Sequence, residues 1–196
     1  MKAIAANSIA GAMLAFLSAG AGADTVIPDN LKAAPTQTLA VVAKAVGVQI
    51  YECRTSTTDP ARPEWTFQAP EAELFDDTGK KMGKHYAGPT WESDDGSKVA
   101  GEVKARDDGP DGSAIPWLLL SAKSVEGNGI FGKTQSVQRV ETVGGKAPAD
   151  GCDRENVGKL ARVPYRATYN FYVARYSVGA APPGVATGSP ASYYFR

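Results

Sequence analysis

The chain has one histidine, His85, in 196 residues, which excludes a metal site built from two or more histidines of one chain. It has two cysteines, 99 positions apart, so no C-x-x-C redox or zinc motif is present. No charge sign dominates. The 21 basic side chains match 21 acidic ones, and composition gives no electrostatic case for nucleic acid or an anionic membrane as partner. Leucine is scarce after residue 23, with seven against sixteen valines. No G-x-S-x-G nucleophile elbow occurs. What remains is a chain that is 43% apolar, enough for a core, with 34 glycines and prolines taken together. That balance favours strands and turns over long helices.

The first 23 residues read as a secretory signal peptide. Lys2 supplies the positive end, and Ile4 to Leu17 is apolar apart from Asn7 and Ser8. Ala21-Gly22-Ala23 is a small-x-small cleavage site, followed by the polar Asp24. The apolar stretch is short for a membrane span and is interrupted by polar residues. No cysteine follows it to carry a lipid anchor. The expected product is periplasmic or secreted, about 173 residues long, with no membrane span after cleavage. In an oxidising compartment the two cysteines are expected to pair as Cys53–Cys152, closing a loop of about 100 residues.

The mature chain divides into an N-terminal extension (24–37), a β domain (38–176) and a Pro/Gly/Ala-rich tail (177–196) expected to be flexible. Thr38–Val42 and Val46–Cys53 read as a strand pair or one long bent strand. In the second half Val48, Ile50 and Tyr51 are apolar and Gln49 and Glu52 polar, close to alternation. Trp65–Phe67 reads as a short strand ended by Pro70, with Ala72–Phe75 as the next. Asp76–Lys80 and Asp94–Ser97 have turn composition, and Lys81–Tyr86, Pro89–Glu92 and Lys98–Ala105 lie around them as strands.

Ile115–Leu120 is a continuous apolar run suited to a strand buried on both faces. Thr134–Val143 places valines at 137, 140 and 143, a helix-like period in β-branched residues, and reads as a strand. Asp153–Leu160 is the one segment open to a short helix. Val163–Val173 alternates most cleanly, with Val163, Tyr165, Ala167, Tyr169, Phe171 and Val173 on one face. Short strands with frequent turn signals predict an all-β domain with little helix, a single antiparallel sandwich or barrel.

Several segments imitate chemistry. Gly127–Thr134 fits both G-x-x-x-x-G-K-T and G-x-G-x-x-G. A phosphate site needs a helix after the glycines, and the valine- and threonine-rich residues that follow do not offer one, so the segment reads as a glycine-rich β-turn. Asp107–Gly112 resembles a calcium loop, but Gly109 stands at its third position and Leu118 at its twelfth, so it is not an EF-hand. No metal and no cofactor is expected. The densest cluster of functional side chains is His85, Tyr86, Trp91 and Glu92, around the turn-forming Gly88-Pro89. These four are the candidate ligand-binding residues.

Gly47–Cys53, Trp65–Phe67, Ala69–Leu74, His85–Glu92, Ile115–Leu120 and Val163–Tyr165 together resemble an uncharacterised secreted family of bacteria and fungi, a domain of unknown function. The resemblance spans Thr38 to Tyr172. Some fungal members carry the label malate dehydrogenase, which the glycines of this chain do not support. The resemblance implies a fold unit and no catalytic residue. The leading expectation is therefore a non-enzymatic module that binds a small molecule or glycan, or interacts with the envelope. The alternative is a hydrolase or lyase using His85 with Glu92 or an aspartate of the following turn, which requires an acid within hydrogen-bond reach of the ring.

Overall fold

The computed structural model describes residues 25–176; the expected signal peptide (1–23) and the expected flexible tail (177–196) lie outside the described residues. Eight strands follow in order: β1 (Gln37–Thr55), β2 (Pro63–Phe75), β3 (Lys81–Tyr86), β4 (Thr90–Ser93), β5 (Lys98–Asp107), β6 (Trp117–Glu126), β7 (Thr134–Gly144) and β8 (Leu160–Ala174). Each is antiparallel to its sequence neighbour, and β8 also pairs with β1. The all-β domain is thus a closed up-and-down barrel. Closure rests on the two longest strands, whose ladder runs from Gln37 opposite Ala174 to Glu52 opposite Leu160. Every strand is paired on both sides over part of its length, although β2 before Ala72 has no β3 partner.

The structure decides between the two readings of the first strand, and differs from the sequence reading at Pro70 and in the orientation of β1. β1 is one bent strand, with register irregularities near Leu39 and Ile50. β2 runs through Pro70 without a break. β3 pairs only with Ala72–Phe75, so on that side of β2 there is no ladder at Pro70 to lose a donor. In β1 polarity and orientation are reversed: Gln49 is buried at 2% exposure, while its neighbours Val48 and Ile50 are only partly buried. Gln49 shares its parity with Tyr51 and Cys53, and that face is the interior.

The period of three in β7 is strand geometry with a bulge. Glu141 has a φ of 51°, and the pairing with β8 shifts between Val140 and Val143. Val137 enters the core, Val140 packs outside the sheet, and Val143 is exposed. The segment open to a short helix holds one 3-10 turn, Arg154–Asn156. The Asp153 carboxylate accepts the N–H groups of Glu155 and Asn156 there.

One half of the barrel is solid. Ala43, Leu74, Val99, Phe131, Val137 and Phe171 are buried in a single cluster. Phe131 comes from the β6–β7 connection and stacks on Phe171, ring centroids 4.3 Å apart. The glycine-rich segment Gly127–Thr134 is this connection, followed by a strand rather than a helix. Residues 25–36 cross the outer wall, where Leu31 packs with Trp117 and Val140 and, alongside, Ala105 and Leu119. This explains the unbroken apolar run of β6: Leu118 and Leu120 pack with the interior cluster while Trp117 and Leu119 sit under the N-terminal segment.

Elsewhere the outer wall carries ion pairs such as Arg162–Glu71 at 2.8 Å and Lys84–Glu92 at 3.3 Å. An apolar interior behind a charged wall is the reverse of a membrane barrel's lipid-facing arrangement. No helix among the described residues is long and apolar enough to cross a membrane. Cys53 and Cys152 form a disulfide with their Cα atoms 5.3 Å apart, joining β1 to the loop before β8.

Candidate functional site

The β3–β4 hairpin sets the orientation of the candidate residues. Lys84 lies opposite Glu92, His85 opposite Trp91 and Tyr86 opposite Thr90. Strand alternation then sends His85 and Trp91 into the barrel and Tyr86 and Glu92 to its outside. The four residues therefore do not form one site. The Tyr86 hydroxyl donates to Glu92 at 2.6 Å, and Lys84 adds its charge. Together they hold the Glu92 carboxyl below the usual carboxylate range. Glu92 and His85 face opposite sides of the sheet and are not bonded. The turn aspartate Asp95 lies at the other end of the barrel, where it accepts the N–H of Ile130 at 2.8 Å. The His85–acid pair that the enzymatic reading requires is not formed by either residue.

Inside, the His85 ring lies flat on Trp91, centroids 4.5 Å apart and planes 10° apart, and Tyr169 meets both rings edge-on. Room for Trp91 comes from Gly101 of β5, where a Cβ atom would stand 3.1 Å from the indole. His85 Nδ1 is 2.8 Å from the Thr90 carbonyl oxygen. A carbonyl only accepts, so this assigns the proton to Nδ1 and leaves Nε2 as an acceptor. Burial pushes the His85 pKa down to about 3 against the opposing pull of the Thr90 bond, and the Arg139 charge lowers it further. The ring is neutral at physiological pH.

His85 and Trp91 form part of the wall of a cavity of about 390 Å³ in the other half of the barrel. Every strand contributes to it. Gln49 and Tyr51 come from β1, Phe67 and Pro70 from β2, Leu118 and Leu120 from β6, Arg139 from β7 and Tyr169 from β8. Gly88 and Pro89 of the β3–β4 turn, with Ile115 and Pro116, stand at the same end. Phe67 and Val103 are about half exposed, at 49% and 51%, and give the opening an apolar rim.

The polar groups of this chamber are unevenly satisfied. Tyr51 donates to the Gly145 carbonyl at 2.7 Å. Arg139 directs two N–H groups at one acceptor, the Pro116 carbonyl, at 3.0 and 2.8 Å. No carboxylate of the described residues pairs with Arg139, and none lines the cavity. Among the described residues, Gln49 Nε2, Trp91 Nε1 and the hydroxyls of Tyr165 and Tyr169 are buried with no hydrogen-bond partner. Burial raises the pKa of both tyrosines, so both stay protonated. The chamber as a whole offers donors, the His85 Nε2 acceptor and the Arg139 guanidinium to an apolar space, with Arg106 at its opening.

Of the residues that make this chamber, sequence reasoning singled out His85 and Trp91 and placed Tyr169 on an apolar face. It missed Gln49 and Arg139. For Gln49 the available signal was shared parity with Tyr51 and Cys53. For Arg139 it was shared parity with Val137, which the period of three obscured.

A family model described as a protein of unknown function (DUF3455) matches residues 34–173, which brackets the barrel almost strand for strand. None of the curated proteins matches the chain.

Proposed function

The chain belongs to the DUF3455 family of proteins of unknown function, and we propose that it is an exported, non-enzymatic barrel that binds one small organic molecule in its interior. The observation that carries this reading is the half-filled lumen. A barrel of eight strands is wide enough either to be filled by side chains or to hold one small ligand. Here one half is packed around Phe131 and Phe171 and the other holds about 390 Å³ lined by aromatic and aliphatic side chains. That volume is within the range of ligand pockets, about 300–1,000 Å³. The rings of Tyr51, His85, Trp91 and Tyr169 lie inside the barrel rather than on an open platform, which favours a small molecule over a polymeric glycan. Export is supported by the signal-like first 23 residues and by the disulfide.

The neutral dye N-phenyl-1-naphthylamine tests the cavity, since its fluorescence rises on entering an apolar space. Saturable enhancement is expected with the native protein. Val103→Trp, which fills the opening from a half-exposed position, is expected to abolish it, and Lys104→Trp on the outer wall to leave it unchanged. Enhancement that survives Val103→Trp places the dye elsewhere and refutes the reading. Export is tested by the intact mass of the secreted product, expected to begin at Asp24.

A further inference from the structure

We propose that the barrel's ligand is a small apolar monocarboxylate, held with its carboxylate at Arg139 and its apolar body against the His85–Trp91 pair. This rests on the reading of the lumen as a ligand site and adds the chemical class of the occupant. Three observations point to it.

First, Arg139 is a cation inside the chamber with no carboxylate partner among the described residues. Its guanidinium has five N–H groups, and the Pro116 carbonyl engages two. The remaining fork suits the two oxygens of a carboxylate. Arg139 is partly buried, so its charge is incompletely solvated, and an entering anion compensates it.

Second, the unmet polar groups around it call for an acceptor. Gln49, Trp91 and Tyr169 line the cavity, are each at least nine-tenths buried, and each carry a donor group with no partner among the described residues. Buried donors in folded proteins nearly always have a partner, so a cluster of unpaired ones marks a place where something is bound.

Third, the charge count and the walls limit the anion. Arg106 also lines the opening, but it already pairs with Asp108 at 3.1 Å in solvent. One uncompensated cation matches a monoanion; a dianionic phosphate would leave a net negative charge among apolar walls. Pro70, Ile115, Leu118 and Leu120 offer no polar side-chain group to the rest of the ligand, so that part is hydrocarbon.

The test uses matched pairs that differ only in the head group. Cinnamate against cinnamyl alcohol, and octanoate against octanol, compete for the barrel with N-phenyl-1-naphthylamine, and the acids are also titrated directly by calorimetry. At least one acid is expected to bind about 10- to 100-fold more tightly than its alcohol, the size of a charge-assisted hydrogen bond. In Arg139→Gln that preference is expected to disappear while dye binding persists. In Arg139→Lys, which keeps the charge and loses the fork, part of it remains. Alcohols that compete as well as their acids, or acids that give neither displacement nor heat, overturn the carboxylate assignment. Dye binding then separates that failure from failure of the cavity reading. The native-protein comparison decides the matter even if both variants fail to fold.

Discussion

His85 is the only histidine of the chain, so its titration can be followed without ambiguity. Its ring is buried, at 2% exposure, between Trp91 and Tyr169, and its pKa falls from 6.5 to about 3. Between those values the unfolded chain binds a proton that the folded chain refuses. Stability therefore falls as the pH is lowered through that window, by roughly 1.4 kcal/mol per pH unit. The expected result is a urea midpoint that drops steadily from pH 6.5 to pH 4 in the native protein and stays nearly flat in His85→Phe. The variant starts lower by about 1–3 kcal/mol because the Thr90 carbonyl loses its donor. An imidazole NMR titration with a midpoint near 6.5 would show the ring to be solvated and refute this. His85 was legible as the residue to watch because no other imidazole exists. Its isolation from Glu92 was not, because proximity in sequence conceals which face of a strand each side chain takes.

At the scale of single elements, the β6–β7 connection shows how a binding motif becomes a structural plug. The backbone N–H of Ile130 is given to the Asp95 carboxylate and that of Phe131 to the Ser97 hydroxyl at 3.1 Å. Asp95 also accepts from Ser97, and these donors hold its pKa down to about 2. An aspartate of the chain's own β4–β5 turn thus occupies N–H groups of the glycine-rich loop, and Phe131 is pressed into the barrel end. Asp95→Ala is expected to cost about 1–2 kcal/mol by leaving these donors unpaired. Phe131→Ala is expected to cost about 3–5 kcal/mol by opening a cavity beside Phe171. Both follow from guanidinium unfolding midpoints, and a change below about 0.5 kcal/mol in Phe131→Ala would show that the plug does not seal the core. The turns were readable from their Asp, Gly and Ser content. That two of them interlock was not, since the interaction joins residues 35 positions apart.

For the whole molecule, the disulfide and the β1–β8 seam act together. Cys53 and Cys152 close a loop of 99 residues, and the adjoining backbone is bonded as well, with Gly158 donating to the Cys53 carbonyl at 2.8 Å. Constraining a loop of that size stabilises the fold by about 4–5 kcal/mol on the chain-entropy account. The double variant Cys53→Ala/Cys152→Ala is expected to keep its β-type circular dichroism at low temperature and to lose about 3–5 kcal/mol in urea unfolding. Unchanged stability would mean that the seam alone fixes the closure. The cysteine pairing needed no structure to foresee, since two cysteines allow a single intrachain pairing.

The sequence determined by itself what depends on local chemistry and counting. Its β-branched strands and Asp/Gly turns specify an all-β chain, and the alternation from Val163 to Val173 specifies the core face of β8. Two cysteines specify one bridge, and six segments specify the family. Tertiary structure alone decided what depends on parity, register and closure. A one-residue shift in pairing reverses which face a side chain takes, so Gln49 became an interior donor although its polarity pointed outward. Alternation from Val137 set Arg139 inside and Val140 outside, and the bulge at Glu141 turned Val143 to the exterior. Whether the sheet would close, and leave half of its interior unfilled, depended on β1 meeting β8 across more than a hundred residues of sequence, which no local pattern encodes.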